Sequence, residues 1–341
     1  MLRLTMRPSD LLCSTPKGLY CPPGDFYIDP VAPVPRALIT HGHSDHARSG
    51  HAAVLATQET LDIMGIRYGD NFAGESQAAE LGREMKIGDV TVRFAPAGHV
   101  LGSAQIVVEK DGLRIVASGD YKRRADATCR AFEPVACDVF ITEATFALPV
   151  FRHPDDRDEI ARLLHSVAQF PERSHLVGAY ALGKAQRVIS LIRQAGYDKT
   201  IYLHGALERL SAYYQSQGVD LGPLAPATIE KGSKEKFAGE IILCPPSAFS
   251  DRWARRFADP VTCFASGWMR IRQRVKQRGV ELPLILSDHS DWDELTQTIR
   301  DTGAGEVWVT HGREEALVRW CELHQIAARP LHLVGYEDEN D

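Results

Sequence analysis

Three histidines and an aspartate fall within six positions at His41-Gly-His43-Ser-Asp45-His46, one residue after the apolar run Ala37, Leu38 and Ile39. In an extended chain alternate side chains share a side, so His41, His43 and Asp45 face one way and His46 another, which suits two metal ions better than one. Imidazole and carboxylate donors without thiolate fit zinc in an open, catalytic type of site. Two ions roughly 3.5–4 Å apart acidify a shared water enough for it to act as a nucleophile near neutral pH. Such a pair needs a bridging carboxylate, and Asp120 is the natural candidate. Isolated histidines such as His153 and His324 carry no comparable expectation and read as surface or hydrogen-bonded core residues.

The elements that must position these residues repeat one arrangement, a short β-like run that ends in a chemically loaded side chain. "RALIT" leads to His41, "VTVRFAPAG" to His99, "GLRIVASG" to Asp120, "CDVFIT" to Glu143, "LPLILSD" to His289 and "EVWVT" to His311. Six such ends are expected to gather along one rim of a sheet structure, where sites are usually built. "AQIVVEKDGLRIVAS" reads as a hairpin turned at Asp111-Gly112. After His289 the spacing predicts a helix with Ser290 as N-cap, Asp293 at the capping-box position and Gly303 as its stop. After His311, "REEALVRWCELH" predicts another, with its acids in the first turn. A central stretch, roughly 150–284, contains none of the six loaded residues, and an acidic tail, "YEDEND", is expected to fray.

The whole chain bounds these expectations. Its 341 residues fit two units of moderate size, one inserted in the other. Hydrophobic residues make up 44% and charged residues 25%, the balance of a soluble globular protein with no membrane partner. No segment reads as a bilayer span, and the first residues lack the apolar core of a signal peptide, so a cytoplasmic protein is expected. Seven scattered cysteines with no C-x-x-C pair argue against a disulfide framework and against a thiolate zinc site. They read mostly as small buried filler.

At the metal residues the sequence resembles the metallo-β-lactamase superfamily, whose H-x-H-x-D-H signature matches positions 41–46, with Gly98-His99, Gly119-Asp120 and His311 matching its further ligand positions. The resemblance implies one zinc held by His41, His43, His99 and Asp120, and a second held by Asp45, His46, Asp120 and His311, with manganese as a substitute. Asp29 in "FYIDP" matches the family's early aspartate, which would orient a ligand; a turn residue before Pro30 is the equal alternative. "AGHVLGSAQ", "SGDY", "TEATFA", "YALGKAQRVI", "SGWM", "SDHSDWDEL" and "VTHGREEA" occur in the order shown by the β-CASP nucleases, a branch of that superfamily. Similarity runs from about residue 18 to 325 and is greatest to bacterial ligase-associated DNA exonucleases, themselves similar to mRNA 3′-end processing factors.

What this resemblance implies is an α/β chain: a metallo-β-lactamase αββα sandwich (1–149 with 285–341) carrying an inserted β-CASP α/β domain (150–284). It implies a metal-dependent phosphodiesterase in which His289 protonates the departing oxygen and Glu143 orients His289 or another site histidine. A phosphate-binding loop is expected around Ser266 and Gly267 in "FASGWM", although this chain lacks the proline common there in the family. "RIRQRVKQR", with Arg270, Arg272 and Arg274, has five positive residues and no acid, fitting a polyanion. The resemblance also gives Lys184 and Arg187 to a helix start that faces substrate. Trp253, Phe264 and Trp268 could stack on bases, but core packing is the stronger expectation for at least two of them.

Other functions fit less well. "GAYALGKA", 178–185, nearly spells a nucleotide-binding P-loop, yet Ala185 stands where the magnesium-binding hydroxyl belongs. A non-catalytic nucleic-acid module conflicts with an intact set of seven ligands, and a small-molecule hydrolase with the basic insertion. DNA is favoured over RNA through the ligase-associated resemblance, although a histidine at 311 is typical of RNA-acting relatives, which leaves an RNA-processing ribonuclease as the alternative. By family resemblance the expected partners are nucleic acid, DNA ligase and helicase repair proteins, and a second copy of the chain.

Overall fold

A computed structural model describes residues 6–228 and 234–331; the acidic tail lies outside the described residues. Strands Ala104–Lys110 and Leu113–Ala117 form the expected hairpin. It turns at Asp111 and Gly112, with φ of 52° and 87°, the left-handed pair that a two-residue hairpin turn needs. Val139–Ala144 runs parallel to Leu113–Ala117 on one side and to Glu306–Gly312 on the other. All six of its residues are buried, as expected of a parallel strand covered on both faces. Val90–Pro96 and Glu84–Ile87 extend one edge of this sheet and Ala327–Pro330 the other, making seven strands.

A second sheet holds six strands in chain order: Cys13–Thr15, Gly18–Cys21, Phe26–Ile28, Arg36–Leu38, His51–Ala56 and Ala73–Ala78. One apolar core draws on both sheets, taking Phe26, Ile28, Leu38 and Leu55 from the second and Val92, Phe94, Ile106, Ile115, Ile141 and Trp308 from the first. Alternation along the strand sends Val116 to the opposite face, where Phe140 and Val309 pack with Leu295, Ile299 and Leu317 of helices Trp292–Thr302 and Glu314–Leu323. Helix Gln58–Tyr68 covers the other sheet in the same way, with Leu61 and Met64 against Ala37 and Val54. Each buried Leu or Ile in such a layer stabilises by about 1.5–3 kcal/mol.

The third sheet is wholly parallel, in the order Leu224–Pro226, Ile201–Leu203, Ile241–Cys244, His175–Gly178, Val261–Ala265 and Leu282–Leu284. It has its own core around Leu176, Phe237, Ile242 and Phe257. The described residues divide into two compact units, 6–149 with 289–331 and 150–288. The third sheet lies in the second unit and holds the run before His289; of the other five runs, that before His41 is in the second sheet and four are in the first. His289 is the first residue after the chain returns to the first unit.

Two helix boundaries can be compared with the sequence. The helix after His289 is capped one residue later than expected: Asp291 accepts from Glu294 N at 3.1 Å and Glu294 answers to Asp291 N, while Ser290 and Asp293 take no part in the box. The carboxylate at 291 outcompetes the hydroxyl at 290 because only it has the Glu three positions on. Gly303 ends the helix with φ 63°, and Glu314–Leu323 carries its acids in the first turn, both as expected. No helix among the described residues is long and apolar enough to cross a membrane.

Candidate metal centre

The H-x-H-x-D-H segment leaves the end of Arg36–Leu38 and is fixed from beneath by Asp29. Asp29 takes a left-handed conformation, φ 43°, and is 4% exposed. Its Oδ1 accepts from Thr40 N at 2.8 Å, and its Oδ2 accepts from Thr40 Oγ1 at 2.6 Å and faces His46 Nδ1 at 2.8 Å. Because the Thr40 hydroxyl gives its proton to Asp29, it can only accept from His41 Nδ1, 3.0 Å away. Hydrogen bonding thus puts the Nδ1 proton on both His41 and His46 and leaves each Nε2 as the atom that could hold a metal. Asp29 is both the turn residue and the orienting carboxylate.

Around them the donor atoms converge. His41 Nε2 lies 3.2 Å from His43 Nδ1, which lies 3.0 Å from His99 Nε2. Asp120 Oδ2 stands 3.4 Å from His41 Nε2 and 3.7 Å from His99 Nε2. The four ligand atoms lie within 4.8 Å of one another, and all four residues are buried. Donors held at about 2.0–2.1 Å from one zinc in a tetrahedron are about 3.3–3.4 Å apart, so the observed spacings fit a zinc-sized ion. One nitrogen of His43 cannot serve both neighbouring imidazoles well by hydrogen bonding; a cation would satisfy all three rings. The second set is looser: His46 Nε2 is 3.5 Å from Asp120 Oδ2 and 3.6 Å from Asp45 Oδ2, and the His46 and His311 rings are 5.0 Å apart. Asp120 Oδ2 therefore faces both sets, as a bridge must.

The electrostatics favour positive charge here. Burial opposes the ionisation of Asp120, but the neighbouring His46 and His41 outweigh it and hold the carboxyl well below its usual range. Burial likewise disfavours a charged His46, yet Asp120 and Asp45 keep its pKa well above the ordinary histidine value. His41, dominated by burial and then by His46, is pushed well down, and burial takes His311 down to about 4. A field that holds a proton on one buried ring beside neutral ones is a field that attracts a divalent cation.

Local backbone devices aim the other candidate ligands. Gly98 and Gly119 precede His99 and Asp120 with φ of 72° and 56°. A Cβ at Gly98 would come within 2.3 Å of the Lys122 carbonyl oxygen, and one at Gly119 within 2.7 Å of Thr40. Neither position can accept a side chain without displacing backbone or a residue that orders His41. His311 is the extra residue of a bulge: Glu143 pairs with Thr310 and Ala144 with Gly312, leaving His311 between them with φ 57°. The bulge turns a ring that strict alternation would aim elsewhere.

Beside the cluster stands a buried pair. Glu143 Oε2 lies 2.9 Å from His289 Nδ1, and its Oε1 accepts from Tyr121 N at 2.8 Å. The His289 ring packs 4.6 Å from that of His99. Burial raises the pKa of Glu143 against the opposing pull of His289. Sequence reasoning reached both residues, but it missed Thr40, Lys122 and Glu294. Lys122 is fully buried and donates to the His289 carbonyl at 3.0 Å and to Glu294 Oε2 at 3.1 Å. Its one signal was its place two residues after Asp120.

The second unit carries the expected basic residues in two states. Arg270 and Arg272 are exposed, whereas Arg274 lies half-buried with its guanidinium 4.1 Å over the Trp268 ring. Ser266 and Gly267 are buried, and Ser266 Oγ caps the short helix Gly267–Arg270 by accepting from Trp268 N at 3.3 Å. Phe264 is buried, Trp253 packs edge-on against His204 and Phe257, and Phe151 meets Trp268. Lys184 and Arg187 lie at the start of helix Lys184–Gln194 and are 2% exposed each; Lys184 Nζ meets Asp288 Oδ1 at 2.6 Å. Neither presents its charge to solvent.

No family model matches the chain. It is 26% identical over 326 residues to a probable DNA ligase of Opitutus terrae, covering 89% of this chain and 30% of that protein. It is 25% identical over 219 residues to an RNase J-like protein of Methanocaldococcus jannaschii, covering 54% and 50% of the two chains. Over 130 residues it is 35% identical to cleavage and polyadenylation specificity factor 73 of Drosophila melanogaster, covering 37% and 18%. The chain spans half or less of the length of each of these relatives. A crystal structure of a protein of unknown function from Enterococcus faecalis V583 superposes with a TM-score of 0.52 at 14% identity, over 80% of this chain and 74% of that one. These relatives agree with the resemblance to metallo-β-lactamase nucleases of the β-CASP branch.

Proposed function

We propose that the chain is a two-zinc phosphodiesterase that degrades DNA from an end. One observation carries the metal-dependent chemistry: His41, His43 and His99 converge on Asp120 in a buried site, with the Glu143–His289 pair alongside. The first zinc falls to His41, His43, His99 and Asp120, and the second to Asp45, His46, Asp120 and His311. When bound, the two ions would make a water acidic enough to attack phosphorus near neutral pH and would offset charge on the phosphate oxygens. His289 holds a proton at Nε2 for the departing oxygen. Glu143, accepting at His289 Nδ1, fixes that orientation and stabilises the charged ring.

The layering of helix, sheet, sheet and helices in the first unit supports an αββα catalytic domain, and the parallel sheet of 150–288 supports an inserted β-CASP domain. Within the insertion we assign phosphate contact to Arg270 and Arg272, which are exposed, with Ser266 and Gly267 shaping the turn before them and Arg274 braced on Trp268. Lys184, buried and paired with Asp288, braces its own unit instead.

DNA is favoured because the similarity to the Opitutus probable DNA ligase runs through 89% of this chain. A ribonuclease is the second reading, favoured by His311 and by the 35% identity to the Drosophila polyadenylation factor. The test is cleavage of matched single-stranded DNA and RNA labelled in turn at each end, with zinc or manganese supplied and His43→Ala as control. A DNA ladder growing from one end and absent in the control is expected; RNA-only cleavage selects the second reading. Failure of the well-metallated protein on every substrate would sink both. Metal analysis of the isolated protein decides between zinc and manganese.

A further inference from the structure

The segment that follows Asp120 does more than deliver a carboxylate. Tyr121 donates its N–H to Glu143 Oε1 at 2.8 Å, and its carbonyl accepts from Ser290 N at 2.8 Å. Lys122 N donates to Ala97 O at 3.1 Å, tying down the turn that carries His99. The Lys122 side chain crosses to the later segment, donating to the His289 carbonyl oxygen at 3.0 Å and to Glu294 Oε2 at 3.1 Å. Arg124 adds ion pairs at 3.4 Å to Asp291 and to Glu294. The Lys122 side chain is 0% exposed and that of Glu294 13%.

A buried ammonium is costly unless it is paired, and a hydrophobic pair of similar volume is often at least as stable as a buried ion pair. Charge balance accounts for Glu294. It does not account for the bond to the His289 carbonyl, which spans 167 positions of sequence and fixes the residue whose ring meets Glu143 on its other side. Asp120, Glu143 and His289 offer ligand or proton-bearing atoms within 4.8 Å of one another, so a small movement at His289 changes the reacting geometry.

We infer that Lys122 is a positioning residue: its ammonium, through its bond to the His289 carbonyl, sets where the His289 ring stands relative to Asp120 and Glu143. The inference rests on the reading of His289 as proton donor. Misplacing a reacting group by about 1 Å costs on the order of 100-fold in rate. The effect should fall on the chemical step and leave substrate affinity unchanged.

The pair must be separated from the position. Glu294→Gln keeps the capping box, since Gln caps as Glu does, and leaves Lys122 on the carbonyl. K122M/E294Q removes both charges together, so no buried charge is left unpaired. Expected results are near-wild-type kcat for E294Q, and for K122M/E294Q a kcat about 10–100-fold lower with KM within about twofold and zinc content unchanged. Spectra of protein with 15N-labelled histidines read the ring directly and require no substrate. The His289 resonance should move in the double variant and stay in E294Q, with His41 and His46 unmoved in both. An unmoved His289 resonance in the double variant, or an unaltered kcat there while wild type cleaves, overturns the inference; a wild type that cleaves nothing overturns the proposed function and leaves the spectra to decide this point. Lys122→Arg lengthens the arm inside a buried site and replaces the double variant if that does not fold, with the same two readings of the His289 resonance.

Discussion

Asp29 orders two imidazoles at once, His46 directly and His41 through the Thr40 hydroxyl. Its removal therefore loosens one ring of each proposed zinc set without deleting a ligand. For Asp29→Ala the expected outcome is a fall in zinc affinity of about 10–100-fold, measured by titration against a chromophoric chelator. Unchanged affinity would mean that the Nδ1 bonds do not fix these rings. His289 makes the opposite case, because it sits beside the cluster with its Nδ1 committed to Glu143. His289→Ala should keep both metals and cleave about 10²–10⁴-fold more slowly; loss of metal with the activity would move His289 from proton donor to ligand.

At the scale of elements, the left-handed glycines before His99 and Asp120 leave no room for a side chain beside the proposed ligands. Gly98→Ala forces a Cβ to within 2.3 Å of a carbonyl oxygen at φ 72°, so it should destabilise by more than the roughly 1–2 kcal/mol of an unobstructed left-handed residue. Chemical unfolding measures this, and a loss below about 1 kcal/mol would show that the turn relaxes freely. The exposed arginines make a separate prediction. Replacing Arg270 and Arg272 by Gln should weaken binding of single-stranded DNA and reduce the salt slope of log K by about 0.7 for each phosphate that goes unneutralised; an unchanged slope would remove them from the interface. These elements also mark what the sequence could reveal. Runs ending in His41, His99, Asp120, Glu143 and His311 were legible because strand patterns and loaded ends are local. The bulge at His311 was not, since "EVWVTHG" reads as one unbroken apolar run with polar ends and the extra residue appears only against Val139–Ala144. Nor was the burial of Lys122 and Lys184: a lysine reads as solvated until its partner is known, and Glu294 and Asp288 lie more than a hundred positions away.

At the scale of the whole molecule, the proposed metal residues are all contributed by 6–149 and 289–331, while 150–288 has its own parallel sheet and its own apolar core. A ligand that binds only the folded state stabilises by mass action, about 2.7 kcal/mol at a hundred times its dissociation constant. That stabilisation belongs first to the unit whose loops it ties together, because His41, His99, Asp120 and His311 come from separate strand ends of the first unit alone. Removing metal with a chelator should therefore shift one calorimetric transition downward and leave a second near its original temperature. Hydrogen exchange then assigns them: faster exchange at Val90–Pro96, Leu113–Ala117 and Glu306–Gly312, and unchanged protection at His175–Gly178 and Ile241–Cys244. If both sets of strands lost protection together, the units would unfold as one, and metal binding would hold the inserted unit as firmly as the sheets that carry the ligands.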